Sequence, residues 1–384
     1  MPHARHPEST IVHIGAGQDP AYGAVSAPIY QTVTYQHPGS GLGPFDYTRT
    51  VNPTRSGLAR GLADLEAAAG ASLFSSGMAA ITALCHLLDK ESHVVLTEDV
   101  YGGTYRLLVD VFQRFGLSFS FVDTRHPDRV VKAFRPNTRL LFVETPSNPL
   151  LQITDLVAMR EIAHQHDAWL AVDNTFMTPL RQRPLDLGAD FSIYSATKYL
   201  AGHNDVLAGA IVASSSELAA RVDELANATG GVLAPFDAWL VMRGIKTLAA
   251  RLDRQEKTAR QLATFLAQRR DVVRVYYPGL EASGGRDAHA RQASGPGAML
   301  SFQLQSAGHV PRLMDALQVI LPAVSLGGVE SLITHPFTET HREFPEHERY
   351  RLGIVPGLLR LSVGLEHPGD LQDDLAQALD RLGR

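Results

Sequence analysis

The sequence predicts an α/β protein with a mostly parallel sheet in a large domain, followed by a smaller α+β domain. Three observations lead there. Short apolar runs recur at HVVLT (93–97), FSFVD (119–123), LLFVE (140–144), WLAVD (169–173), FSIYS (191–195) and AGAIV (208–212). Segments of helical apolar period separate most of them. Such runs are apolar on both faces, as strands are when helices cover the sheet on two sides.

The elements follow in order. Residues 1–54 are rich in Gly, Pro, Tyr and Thr and show little periodicity. They predict an extended arm, and an arm that cannot bury itself lies on a partner. From 55 the texture changes: SGLARGLADLEAA and GMAAITALCHLL both have the period of amphipathic helices. The domain carrying the apolar runs is placed at 55–236. A long periodic segment, 237–272, predicts one bridging helix. The remainder to 384, with GAMLSFQL (297–304) and LLRLSVGLE (358–366) as strands, predicts the smaller domain.

Composition narrows the function. Hydrophobic residues make up 45% of the 384, enough for a real core, and the net charge is −5 with acids and bases scattered. No basic block predicts a nucleic-acid or membrane surface. The single Cys85 lies in a helical apolar run and fits a reducing compartment. With no signal-like or membrane-spanning run, a soluble, cytoplasmic protein is predicted. P-loop, HExxH, GxSxG and complete dinucleotide fingerprints are absent, and GAGQ (15–18) follows no strand. No histidine spacing points to a metal.

The stretch SATKYLAGH (195–203) carries the chemistry. Its Lys198 follows a buried strand, whereas Lys90, Lys132, Lys246 and Lys257 fall in polar turns or on charged helices. Ligands of open α/β sheets bind beyond the carboxyl ends of strands. A lysine desolvated there loses its proton readily and becomes a nucleophile or base. The plainer alternative is a lysine that only caps the strand. Asp173 ends another buried run, where a carboxylate requires a cation or caps the next turn. A lysine amine with an acid for a pyridine nitrogen is what proteins supply to pyridoxal phosphate. In FSSGMAAI (74–81), strand, turn and helix start leave the N–H groups of Gly77 and Met78 for a phosphate. Ser195 and Thr197 add hydroxyls beside Lys198.

With these residues in view, the chain resembles the Cys/Met-metabolism family of pyridoxal phosphate enzymes. The matching stretches are YTRTVNPTR, SSGMAA, EDVYGGTYR, ETPSNP, VDNTF, SATKYLAGH, SLGGVESLITHP and LLRLSVGLEHP, in order over 47–368. The resemblance implies a fold-type I transferase with pyridoxal 5′-phosphate carried on Lys198 and its ring nitrogen facing Asp173. It implies that Tyr101 stacks on the ring, and that Gly77, Met78, Ser195 and Thr197 hold the phosphate. Tyr47 and Arg49 would reach the phosphate of a neighbouring subunit. Arg360 would clamp the substrate α-carboxylate, with Asn148 and Ser325 assisting. Asp46 and Arg106 would stand near the distal end of the substrate. It also implies a homotetramer with sites shared across a dimer interface.

In such a site Lys198 removes the Cα proton and Tyr101 is the candidate acid for a departing sulfur. Gly103 stands where methionine γ-lyases have cysteine, and Val324 where many γ-lyases have glutamate. These two departures leave β-lyase and γ-synthase open, and because AVSLGGVES and THREFPEHERYRLGI look most like bacterial cystathionine lyases, the expected activity is a carbon–sulfur lyase acting on cystathionine. The alternatives are cystathionine γ-synthase and, in another class, a catalytically silent protein that binds the cofactor.

Overall fold

The structure, a computed structural model, describes residues 6–17, 19, 21–37, 39, 41, 43–281 and 284–382. Gln18 of the GAGQ stretch lies outside the described residues. Seven strands form the first sheet: β1 (Gly70–Phe74), β2 (His93–Thr97), β3 (Ser118–Val122), β4 (Thr138–Glu144), β5 (Trp169–Asp173), β6 (Phe191–Tyr194) and β7 (Gly209–Ala213). Their order is β1-β7-β6-β5-β4-β2-β3. The pairs from β3 through β6 are parallel, and β7 runs antiparallel to both β6 and β1. The carboxyl ends of β1, β4, β5 and β6 therefore meet at one edge. Central strands such as LeuAlaVal of β5 are wholly buried, because helices pack on both faces.

A second sheet contains β8 (Val272–Tyr276), β9 (Met299–Leu304), β10 (Leu321–Pro322), β11 (Leu332–Thr334) and β12 (Leu358–Ser362), in the order β10-β11-β12-β9-β8. Its apolar face packs on the helices Leu248–Ala267 and Pro368–Asp380. Among the described residues, no helix is long and apolar enough to cross a membrane.

Two expectations change. The single helix expected over 237–272 is two, Pro235–Ile245 and Leu248–Ala267, and the last residue of the expected segment already begins β8. The apolar period runs through the break because the first helix and the start of the second, Leu248 and Leu252, bury a face in the same core. The arm is not wholly extended either. It contains a helix, Pro7–His13, which buries Ile11, and Ile14 just beyond is buried too. Gly61 lets Ile14 in, since a Cβ there would lie 2.6 Å from the isoleucine side chain. Farther along, the arm is irregular and shows large apolar side chains, with Tyr22 94% and Val25 80% exposed.

Candidate active site

A cavity of about 780 Å³ opens at the shared strand edge. Its floor is acidic. Glu144 and Asp173 end the neighbouring strands β4 and β5 in register. Asp173 Oδ1 accepts a hydrogen bond from Thr175 N at 3.0 Å, and Glu144 Oε2 accepts one from Tyr101 N at 3.0 Å. Burial, and then the charge of Asp173, pushes the Glu144 carboxyl well above its ordinary range. Burial also raises Asp173. Two desolvated carboxyls side by side call for a cation above them, and a protonated pyridine nitrogen is such a cation.

The amine comes from the turn after β6. Lys198 Nζ donates to Ser325 Oγ at 2.6 Å. Burial, aided by the nearby Arg360 charge, lowers its pKa to about 8, so a neutral amine is within reach. Ser325 is held at φ 96°, a region that residues with side chains seldom adopt. That conformation directs its hydroxyl to Lys198 and its carbonyl to Arg360.

Arg360 is on β12 and only 2% exposed. Nη1 donates to Asn148 Oδ1 and Nη2 to Ser325 O, both at 2.9 Å. Nε has no partner among the described residues although it is buried. Arg360 lines the cavity, and a buried guanidinium there suits a carboxylate. Burial lowers this guanidinium to about 10, still charged at neutral pH.

The wall opposite is the start of the Gly77–His86 helix. Ser76 caps it by accepting from Ala79 N at 3.1 Å, and Gly77 and Met78 line the cavity. A Cβ on Gly77 would lie 2.8 Å from the Ser195 Cβ, so glycine lets the helix end approach Ser195 and Thr197. Thr197 Oγ1 meanwhile bonds to both the N–H and the carbonyl of Ala208. This cradle of small residues and hydroxyls at a helix N-terminus fits a phosphate. Tyr101 closes the cavity, with its ring packed against Gly103, where any side chain would displace it.

The structure thus brings together Gly77, Met78, Tyr101, Asn148, Asp173, Ser195, Thr197, Lys198, Ser325 and Arg360 around one cavity. It does not bring Asp46, Tyr47, Arg49 or Arg106 there. Asp46 accepts from Tyr47 N at 2.6 Å. Arg49 donates to Asn227 and lies 5.6 Å from the centre of the Tyr47 ring. Arg106, expected near the substrate's distal end, is on the surface in a 2.7 Å ion pair with Glu343. It closes the short helix Gly102–Arg106, and Glu343 offers its side chain a carboxylate away from the cavity. Residue-by-residue inspection of the sequence overlooks Glu144, Thr175 and His341, whose Nε2 lies 2.9 Å from Asn148 O. For Glu144 a signal existed: LLFVE ends on an acid just as WLAVD does.

A phosphate cradle, a lysine amine and an acidic floor at the carboxyl edge of a largely parallel sheet define a fold-type I pyridoxal phosphate protein. The family model for "Cys/Met metabolism PLP-dependent enzyme" matches residues 8–380, and the chain belongs to that family, whose cofactor is pyridoxal phosphate. It is 46% identical to cystathionine γ-lyase of Bacillus subtilis (strain 168), over 98% of this chain and 99% of that one. It is 45% identical to cystathionine β-lyase MetC of the same organism, over 98% and 96%. Among solved structures, cystathionine γ-synthase from Xanthomonas oryzae pv. oryzae in complex with cystathionine superposes with a TM-score of 0.97, at 41% identity over 99% of each chain.

Proposed function

We propose that the chain is a carbon–sulfur lyase acting on cystathionine. One observation carries the proposal: Ser325 bonds the Lys198 amine through its hydroxyl and the Arg360 guanidinium through its carbonyl. A reacting amine and a guanidinium able to take a carboxylate are thereby held by one residue, and an α-amino acid needs both. The lyase names of several relatives support the choice of reaction.

When bound, the cofactor supplies an electron sink for the bonds around Cα. The residues do the rest. The Arg360 guanidinium, with Asn148 beside it, orients the α-carboxylate. Lys198 Nζ takes the Cα proton, and its lowered pKa suits that role near neutral pH. The Tyr101 hydroxyl holds the proton for the departing sulfur. Asp173 keeps a positive charge at the floor, and Glu144 fixes the backbone of Tyr101. Gly77, Met78, Ser195 and Thr197 hold the phosphate.

In this proposal 1–54 is an arm completing a neighbour's site, 55–236 binds the cofactor, and 237–384 supplies the carboxylate clamp. Support for the shared site is that Tyr47 and Arg49 stand outside the chain's own cavity while the arm exposes Tyr22 and Val25. Closed symmetry then requires at least a dimer, and two such dimers make a homotetramer. The free, buried Cys85 fits a cytoplasmic location.

Cystathionine γ-synthase is the second proposal, favoured by the resemblance to the Xanthomonas enzyme and to that of Haemophilus influenzae. Supplying the loaded protein with cystathionine decides between them. The lyase gives one thiol, one ammonia and one 2-oxo acid per water consumed: pyruvate with homocysteine for β-cleavage, 2-oxobutyrate with cysteine for γ-cleavage. Untouched cystathionine, together with new cystathionine from O-succinylhomoserine and cysteine, would overturn the lyase in favour of the synthase. No product from either mixture would leave only a silent binder.

A further inference from the structure

Behind the Lys198 turn lies a buried cation that the proposed chemistry does not use. Arg251, on the Leu248–Ala267 helix, is 3% exposed. Among the described residues it forms no ion pair, and its Nη1 has no hydrogen-bond partner. Its remaining donors go to neutral oxygens: Nε to Thr247 Oγ1 at 3.2 Å, and Nη2 to Gly244 O at 3.0 Å and Leu200 O at 3.4 Å. A buried charge without a counter-ion is costly, and here it is spent on backbone carbonyls.

Leu200 is two residues beyond Lys198, in a turn closed by Gly202 N donating to Lys198 O at 2.7 Å. Gly202 sits at φ 73° against the guanidinium, and any Cβ there would collide with it. One helical turn farther along, at i+4 and so on the same face, Gln255 is wholly buried. Its Nε2 donates to Gly328 O at 2.7 Å. Gly328 belongs to the loop between β10 and β11, which also carries Ser325. That loop touches the lysine turn directly, since a Cβ on Gly327 would lie 2.6 Å from Tyr199 N. One face of one helix thus grips the turn that carries the amine and the loop that carries its serine partner.

We infer that Arg251 and Gln255 are positioning residues, a two-point brace that sets Lys198 Nζ against Ser325 Oγ. The inference rests on Lys198 being the reacting amine. The brace acts on alignment rather than on binding, so its loss lowers kcat with little change in KM.

The test uses the cofactor-loaded protein with Gln255→Met, which keeps the volume but removes the donor, and with Arg251→Lys. Each is followed by steady-state kinetics and by pH titration of the visible absorbance of the bound cofactor. The brace predicts full cofactor loading, a shifted absorbance midpoint, and kcat lower by about 10-fold or more with KM within about 2-fold. Wild-type kcat and midpoint in a loaded Gln255→Met protein would overturn it, whether or not Arg251→Lys folds. Lys198→Ala is run in parallel to separate the two levels: wild-type turnover in that variant refutes the lysine assignment itself, whereas unchanged Gln255→Met beside a dead Lys198→Ala refutes only the brace.

Discussion

Lys198→Ala is expected to lose turnover by about 10⁴-fold or more, because one side chain is removed from both proton transfer and covalent attachment of the cofactor. Lys198→Arg is expected to fail as well, since a guanidinium does not give up its proton near neutral pH. Neither loss should come from unfolding. The burial that lowers Lys198 to about 8 means that the unfolded chain binds more protons than the folded one between that value and the ordinary lysine range. Stability contributed by this group therefore rises with pH across that window and is least at neutral pH, where the folded state holds a charged, desolvated amine. Removing it leaves Ser325 Oγ short of one donor, a loss of about 1 kcal/mol, against which the relieved desolvation acts. Cofactor-free Lys198→Ala should consequently melt at pH 7 no lower than the cofactor-free parent. A variant that melts much lower and regains activity on refolding would contradict this account.

Arg360→Lys is the second large effect. A guanidinium presents a planar fork to a carboxylate, and an ammonium does not. Truncating one side of a desolvated charge pair costs about 2–5 kcal/mol, so kcat/KM on cystathionine should fall by about 30-fold or more. Part of the loss is structural, because Asn148 Oδ1 and Ser325 O each surrender a donor. A substrate analogue without the α-carboxylate separates the two parts. The parent enzyme should handle that analogue poorly, and on it Arg360→Lys should lose only the smaller, structural part. An equal fractional loss on both substrates would mean that Arg360 supports the fold and not the carboxylate.

Much of the site is legible in the sequence because strand ends are legible. Asp173 and Lys198 stand out as charges terminating or following buried apolar runs, and Gly77 as a turn before a helical period. Asp173 and Lys198 reach one edge because β5 and β6 are parallel, and Gly77 joins them because β1 and β6, each antiparallel to β7, run the same way. Glu144 obeys the same rule and is overlooked only because its partner, the backbone N–H of Tyr101, is 43 residues away in the chain. The break at Lys246–Thr247 carries no proline, and the groups that stabilise it, Gly244 O and Arg251, lie seven residues apart and meet only after folding. The second sheet is hard to see for a different reason. β10 and β11 span two and three residues, too few for alternation to register, and β8 exposes Val273. Arg106 pairs with Glu343, a contact that no local pattern in the sequence connects to it.

Borohydride reduction of the loaded protein, followed by proteolysis and mass spectrometry, tests the central assignment most directly. The account predicts a single pyridoxyl phosphate adduct, on the peptide containing Lys198, with the other four lysines unmodified. An adduct on Lys90, Lys132, Lys246 or Lys257, with Lys198 bare, would contradict it.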